Sequence, residues 1–223
     1  MYISSGIATE IKVNGQKLET LTSFKYVGSV ITDEGSKPEM LSRIAQTTAA
    51  LTRMKPVWND RSISLSSKIR LMRSLVTSIF LCACESWTIT AELQRRMQAV
   101  EMRFYHKILC ISYKDHVTNK QGHAKIQQAI GPHEDLTMVK RRKLKWYRHV
   151  SCSSCLAKTV SQGTVKGGAR QGRQKNRWQD NIREWTGLEF TKSKRAVENR
   201  EKWRKLVAKS SVVPQRPSRL RDR

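Results

Sequence analysis

Apolar residues between positions 36 and 108 recur at helical spacing, which predicts three consecutive helices. The first helix follows a capping-box pattern from Ser36 to Glu39, has a proline in its first turn and ends before Pro56. Its predicted apolar face consists of Leu41, Ile44, Thr48 and Leu51. Ser64 caps the second helix, whose apolar positions are Ile69, Met72, Val76, Ile79 and Phe80. The third helix has an apolar face of Leu93, Met97, Val100, Phe104 and Ile108, and three such helices predict a small bundle.

The first 35 residues have the pattern of short strands. Asn14-Gly15 lies between two short apolar-polar segments and is typical of the type I′ turn of a β-hairpin. A second extended run alternates Phe24, Tyr26, Gly28 and Val30 and ends at residues 33–35. Strands of this length do not form a stable sheet by themselves, so we expect them to pack on the helices that follow.

The second half of the chain has a weaker and more polar pattern. A fourth helix is predicted from about Leu136 to Val150, with Val139, Leu144, Trp146 and Tyr147 as its large side chains. Asn176 is a candidate cap for a short helix with Trp178, Ile182 and Trp185 on one face. A last helix contains Trp203, Leu206 and Val207. We expect a buried core in the first half only, and disorder for residues 157–175 when nothing is bound.

The expected fold class is therefore mainly α, with a small N-terminal β region, a helical bundle and a basic C-terminal extension that is partly disordered. The predicted segments are strands in residues 1–35, a bundle in 36–112, a linker in 113–135, a basic module in 136–208 and a disordered tail in 209–223.

Charge changes the picture most in the C-terminal half. The chain has 43 Lys and Arg against 18 Asp and Glu, a formal net charge of +25, which favours a polyanionic partner such as RNA or DNA. From Leu136 through Gln179 there is no acidic residue. The candidate phosphate contacts in this part are Lys140, Arg141, Arg142, Lys143, Lys145, Arg148, Arg170, Arg173, Lys175 and Arg177. A basic surface without a ligand is the alternative interpretation.

Two further groups are candidates for contact with nucleic acid. Trp146 lies among these cations and is a candidate for stacking on bases, as is Tyr147, although both residues equally fit a buried stripe. On the second helix, Lys68, Arg70 and Arg73 are candidates for backbone phosphates, with a solvated helix face as the alternative.

Four blocks of the sequence resemble the C-terminal part of LINE-type (non-LTR) retrotransposon reverse transcriptases. The blocks follow the family's order and cover roughly residues 1–208. The first three are FKYVGSVIT at 24–32, LVTSIFLCACESWT at 75–88 and RKLKWYRHV at 142–150. The fourth is GGARQGRQKNRWQDNIREWTG at 167–187, followed by NREKWRKLV at 199–207. A bias in composition alone would not place such blocks in order.

The resemblance implies an RNA-directed DNA polymerase as the parent protein. It implies that residues 1–35 are the edge of a palm with a primer-grip hairpin, for which Phe24, Tyr26 and Gly28 are the candidates, and that residues 36–112 are a thumb. For Phe24, packing beneath the neighbouring helix is an equally good interpretation. The expected partner is RNA, DNA or their hybrid, with no small-molecule substrate.

The family's Asp-Asp pair, which binds two divalent metals, has no counterpart in this sequence. In the family that pair precedes the block at 24–32, so we expect this chain to be a catalytically incomplete C-terminal fragment with no catalytic residues of its own. Mg²⁺ is implied only for the complete parent polymerase. The alternatives are part of an intact reverse transcriptase or a translated remnant without function.

Other chemistries are not supported by the sequence. There is no P-loop, dinucleotide fingerprint or Ser-His-Asp grouping, and we expect no cofactor. The series His149, Cys152 and Cys155 has no suitable fourth ligand nearby, so we expect no metal site. Cys84 is expected to be a small buried residue. The longest apolar run, about residues 75–84, is too short to cross a membrane, and no signal-peptide pattern occurs, so an intracellular location, nuclear or cytoplasmic, is expected.

Overall fold

The computed structural model describes residues 2–3, 12–32, 34–130, 135–154, 156–162 and 177–211. The chain is mainly α-helical with a small region of short N-terminal strands, as the sequence pattern predicts. It divides into two compact units, residues 1–136 (unit 1) and residues 137–223 (unit 2).

Unit 1 begins with paired two- to four-residue strands. They are β1 (Tyr2–Ile3), β2 (Lys12–Val13), β3 (Gln16–Lys17), β4 (Thr20–Leu21), β5 (Ser23–Tyr26) and β6 (Ser29–Thr32). β1 pairs with β4 in parallel, and β2 with β3 in an antiparallel hairpin whose turn residues Asn14 and Gly15 have the predicted positive φ angles. The second extended run is also a hairpin, since Val27 and Gly28 have positive φ between β5 and β6. Alternation alone did not reveal this turn.

The helices of unit 1 form the predicted bundle with additional breaks. They are α1 (Lys37–Arg53), α2 (Lys55–Asn59), α3 (Leu65–Leu71), α4 (Thr77–Phe80), α5 (Ala91–Ile108) and α6 (Asn119–Ile130). The second predicted helix forms as α3 and α4, joined by a π-helical turn at Met72–Val76 that places both of its end residues in the core. Short 3₁₀ turns occupy Cys84–Ser86 and Tyr113–Asp115. Ser64 caps α3 as predicted, because its hydroxyl accepts a hydrogen bond from the Ser67 N–H.

One buried cluster of unit 1 lies between α1, α2, α3, the π-helical turn, α5 and α6. Its residues are Leu51, Trp58, Ile69, Met72, Val76, Val100, Phe104, Tyr105, Ile108 and Ile126. All five residues of the predicted apolar face of α5 are buried, and Cys84 is fully buried as expected. Apolar periodicity therefore located most of this core.

The predicted inner face of α1 is confirmed only in part. Leu51 is buried and Ile44 packs against the core, but Leu41 is 38% exposed. The other buried residues of α1 are Glu39, Met40, Arg43 and Thr47. The Glu39 carboxylate accepts hydrogen bonds from the Val30 N–H and from Arg43 Nε, and Arg43 Nη2 donates to the Gly28 carbonyl at 2.8 Å. This charged pair faces inward because the β5–β6 hairpin supplies its partners.

The capping box at the start of α1 does not form either. The Ser36 hydroxyl accepts a hydrogen bond from the Thr88 N–H at 2.8 Å instead of capping its own helix. Glu39, the other half of the predicted box, is held by Val30 and Arg43. Both side chains therefore connect α1 to other segments of unit 1.

Residues 113–135, predicted as a linker, contain α6. Ile126 from this helix enters the core, and a side chain at Gly122 would approach His106 Nε2 to 3.2 Å. The apolar pattern was too sparse to predict a helix, because one buried isoleucine and a small residue are enough to seat α6 against α5.

Unit 2 has a core of its own, so the expectation of a core in the first half only was wrong. Its helices are α7 (Asp135–Cys152), α8 (Leu156–Gln162), α9 (Trp178–Thr186), α10 (Phe190–Glu198) and α11 (Arg200–Ser211). Its buried apolar residues are Val139, Leu144, Tyr147, Val150, Ile182, Trp185, Val197, Trp203 and Val207. α7 contributes four of these residues and α9, α10 and α11 contribute one or two each, and large aromatic rings supply much of the buried volume.

Two local predictions in unit 2 need correction. α8 occupies the start of the stretch 157–175 that was expected to be disordered; the rest of that stretch and residues 212–223 of the predicted tail lie outside the described residues. α9 begins after Arg177 rather than after Asn176, because the Asp180 carboxylate accepts a hydrogen bond from the Arg177 N–H at 2.7 Å. Gly187, with φ 68°, ends α9 in the left-handed conformation.

Within the described residues, no helix is both long and apolar enough to cross a membrane.

Breaking the Glu39–Arg43 pair should destabilise unit 1. Replacing Arg43 with Met leaves a buried carboxylate without its cation, and we expect a loss of about 3–5 kcal/mol in the free energy of unfolding. Urea denaturation measures this loss. In the double variant Glu39→Gln with Arg43→Met the loss should be smaller than the sum of the two single losses; strict additivity would show that the two side chains are not coupled.

Trp203→Ala should destabilise unit 2 by about 3–5 kcal/mol, because it removes a large side chain that is 1% exposed. The exposed neighbour Lys202 is the control, and Lys202→Ala should change the free energy of unfolding by less than about 0.5 kcal/mol. Equal effects of the two substitutions in a urea melt would contradict a packed α11.

Candidate nucleic-acid interface

α7 presents two different faces. Val139, Leu144, Tyr147 and Val150 are buried and form the packed side. Arg141, Lys145 and Arg148 recur at i, i+4 and i+7, which places them in one row along another side of the helix. The helix therefore carries a row of cations next to its packed face.

α11 lies against α7 through Trp203. The Trp203 indole N–H donates a hydrogen bond to the Leu144 carbonyl at 3.1 Å, and its ring centre is 5.7 Å from that of Tyr147. Asn199 caps α11 by accepting a hydrogen bond from the Lys202 N–H at 3.0 Å. Arg200 and Arg204, which flank Trp203 on the same side of α11, are thereby brought to the cationic row of α7.

A groove of about 540 Å³ lies between the two helices, and we call it the α7–α11 groove. Its lining consists of Arg141, Lys145, Arg148, Arg200, Trp203, Arg204, Val207 and Ala208. Five of these side chains are cationic and none is acidic. The Nε of Arg148 is buried and has no hydrogen-bond partner among the described residues. The groove therefore concentrates positive charge, and no carboxylate is among the described residues that line it.

Sequence patterns missed two of the five cations. Arg200 and Arg204 lie outside the acid-free stretch from which the candidates were taken, and Glu201 between them gives α11 a mixed charge pattern. The available signal was their i, i+4 spacing around a buried tryptophan.

Two predicted phosphate contacts on α7 are buried instead. Lys143 is fully buried, and its Nζ donates a hydrogen bond to Asn181 Oδ1 at 2.8 Å. The same Nζ lies 4.7 Å from the ring centre of Trp178 and 5.4 Å from that of Trp185. Lys140 is also buried, with its Nζ 5.6 Å from the Trp185 ring. These lysines stabilise the packing of α9 on α7 through cation–π contacts and do not face a ligand.

The two aromatic residues of α7 differ in their exposure. Tyr147 follows the buried alternative, since it is 2% exposed and its hydroxyl is 2.9 Å from the Ser193 hydroxyl. Trp146 is half-buried and meets the Trp178 ring edge-on at 5.3 Å between ring centres. Its stacking on bases stays a prediction.

The remaining candidates for phosphate contact in unit 2 lie in different places. Arg142 is exposed, but it is not among the residues that line the α7–α11 groove. Arg177 is exposed at the start of α9. Arg170, Arg173 and Lys175 lie outside the described residues, and their contact with phosphate stays a prediction.

The candidates on the second predicted helix of unit 1 do not form a common surface. Lys68 is buried, and its Nζ donates a hydrogen bond to the Trp58 carbonyl at 2.7 Å, which corrects its assignment to an exposed side. Arg70 is exposed. Arg73 is half-buried, and its Nε has no hydrogen-bond partner among the described residues.

The primer-grip candidates lie on the β5–β6 hairpin. Phe24 is half-buried and its ring centre is 6.3 Å from that of Tyr26, which is 61% exposed. Gly28 occupies the turn with φ 82°, and its carbonyl accepts the hydrogen bond from Arg43. The hairpin is therefore fixed to α1 at its turn and exposes Tyr26 and Val27.

In the described part of the chain, no group of three or more His, Cys, Asp or Glu side chains is placed to hold a metal ion. Hydrogen bonds from the Ser62 hydroxyl and N–H lower the pKa of Asp60, and hydrogen bonds from Arg96 and Lys37 lower the pKa of Glu92. Both carboxyls are exposed, and local contacts account for both shifts. Of the metal-like series, His149 and Cys152 are exposed and Cys155 lies outside the described residues.

No family model, curated protein or solved structure matches the chain. What the α7–α11 groove binds therefore has to follow from its chemistry. A row of guanidinium and ammonium groups without carboxylates attracts polyanions and offers phosphate oxygens charge-assisted hydrogen bonds.

Replacing Lys143 should lower the free energy of unfolding much more than replacing Arg141. Lys143→Ala removes a long buried side chain together with its contacts to Asn181 and two indoles, and should reduce the free energy of unfolding by about 2–5 kcal/mol. Arg141→Ala should change it by less than about 0.5 kcal/mol, because Arg141 is exposed. Thermal or urea melts test the pair, and a larger loss for Arg141 would contradict the assignment of Lys143 to the core.

Proposed function

We propose that unit 2 binds RNA, DNA or their hybrid through phosphate contacts in the α7–α11 groove. The observation that supports this most is the convergence of five cations from two helices on one groove without a carboxylate. Arginine provides three or more of its donors in a fixed plane that matches phosphate oxygens, and four of the five cations are arginines.

The charge of the whole chain supports the same proposal. With a net charge of +25, the chain attracts a polyanion from a distance, and the groove then supplies direct contacts. Each phosphate that is neutralised releases counterions, so affinity should fall steeply with salt.

We further propose that the chain is a catalytically incomplete part of a LINE-type reverse transcriptase, in which it would hold nucleic acid rather than copy it. The support is the four ordered sequence blocks and the lack of an Asp-Asp pair in this sequence. Two-metal nucleotidyl transfer needs adjacent carboxylates. Primer extension by this chain alone, with template and Mg²⁺, would contradict the proposal.

Salt dependence tests the binding proposal. If the five groove cations each contact a phosphate, the slope of log K against log salt concentration should be about −3.5 to −4.5, from −0.7 to −0.9 per contact. The double variant Arg200→Gln with Arg204→Gln should make the slope shallower by about 1.4–1.8. Fluorescence anisotropy with a labelled oligonucleotide at several salt concentrations measures both slopes.

The matched control is Lys202→Gln with Lys205→Gln, which removes the same charge from the same helix outside the groove. Its slope should stay close to that of the unchanged protein, and circular dichroism should show equal helix content for both double variants. If the two double variants weaken binding equally, net charge and not the groove accounts for the affinity.

A further inference from the structure

We infer that the α7–α11 groove binds the sugar-phosphate backbone alone and makes no contact with bases. This inference depends on the proposed function and makes it more specific, because it states which part of a nucleic acid the groove recognises.

The first argument is the set of functional groups in the groove. Its cationic side chains are hydrogen-bond donors only, and its other side chains are Trp203, Val207 and Ala208. Base edges are distinguished by patterns of donors and acceptors, which proteins read most often with asparagine, glutamine, acidic and arginine side chains. A lining without any side-chain acceptor cannot pair with the amino groups of adenine or cytosine. Its arginines and lysine match the acceptors of guanine, but a charged phosphate oxygen accepts the stronger, charge-assisted hydrogen bond and is therefore the better-matched ligand.

The second argument concerns stacking. Proteins that hold single strands through their bases place exposed aromatic rings along the binding surface. Trp203 is the aromatic residue that lines the groove, but it is 1% exposed and its N–H is bonded to the Leu144 carbonyl. Its ring is therefore covered and offers no face to a base.

The third argument is the spacing of the cations. Arg141 and Arg148 are seven residues apart on α7, which is about 10.5 Å along the helix axis at 1.5 Å per residue. One strand of B-DNA carries a phosphate about every 3.4 Å along the helix axis, and neighbouring phosphates are farther apart than this rise because the strand winds around the axis. The row therefore spans at most about three phosphate steps. Arg200 and Arg204 extend along the opposite wall by about 6 Å. The groove therefore fits a short, continuous stretch of one backbone.

An abasic oligonucleotide tests the inference, because it keeps every phosphate and lacks every base. The full chain should bind a single-stranded DNA oligonucleotide and an abasic oligonucleotide of the same length with affinities that differ by less than about fivefold, which is the effect of one weakly stacked base. Arg200→Gln with Arg204→Gln should weaken both by the same factor, and Lys202→Gln with Lys205→Gln should weaken neither.

The outcomes separate this inference from the proposed function. If the ordinary oligonucleotide binds through the groove and the abasic one binds more than about fivefold more weakly, bases are contacted and the inference is wrong, while the proposed function stands. If the groove variant does not weaken binding of the ordinary oligonucleotide, the proposed function itself is wrong. Equal binding of both ligands with an equal loss in the groove variant supports both.

Discussion

The seating of Trp203 on α7 is the constraint on which unit 2 depends. The Leu144 carbonyl lies within the helix and has a second lone pair free for the indole N–H, while the ring fills the space beside Tyr147. The hydrogen bond fixes the position of α11 along α7, and the width of the indole ring fixes the distance between the two helices. The register of Arg200 and Arg204 against the cations of α7 follows from these two conditions.

The clustering of cations around the groove also destabilises unit 2. Five like charges around one groove repel each other, and the buried aromatic contacts of α11 must offset that repulsion. An anion in the groove would remove the repulsion, and by linkage its binding would stabilise unit 2 against unfolding. Lys140 and Lys143 do not add to this repulsion in the groove, because they are buried with their ammonium groups over indole rings.

The sequence predicted those parts of the fold in which one helix buries a continuous apolar face. The five apolar positions of α5 are the clearest example. The Asn14-Gly15 turn was predicted for a different reason, because this dipeptide accepts the positive φ angles of the turn. Prediction failed where polar groups enter the interior, as with Glu39, Arg43, Lys68 and Lys143, because a charged residue in a sequence indicates surface unless its partner is known. The sequence also failed to predict the core of unit 2, because its tryptophans are spread over short basic helices.

Only the α7 side of the candidate site could be predicted from the sequence. Arg141, Lys145 and Arg148 share a helix, so their common row can be derived from spacing. Their approach to Arg200 and Arg204 depends on a contact between Leu144 and Trp203, which are 59 residues apart. No local pattern encodes that contact.

The β5–β6 hairpin is attached to unit 1 in a different way from the helices. Its Val30 N–H and Gly28 carbonyl are bonded to a charged pair on α1, while Tyr26 and Val27 remain exposed. The hydrogen bonds between the hairpin and α1 depend on direction, so they are lost together when the geometry changes. Little apolar surface opposes the separation of the hairpin from α1. The backbone amides of this hairpin therefore belong to a cooperative unit whose opening requires less free energy than the unfolding of the helical core. Their hydrogens would exchange with solvent while α5 is still folded.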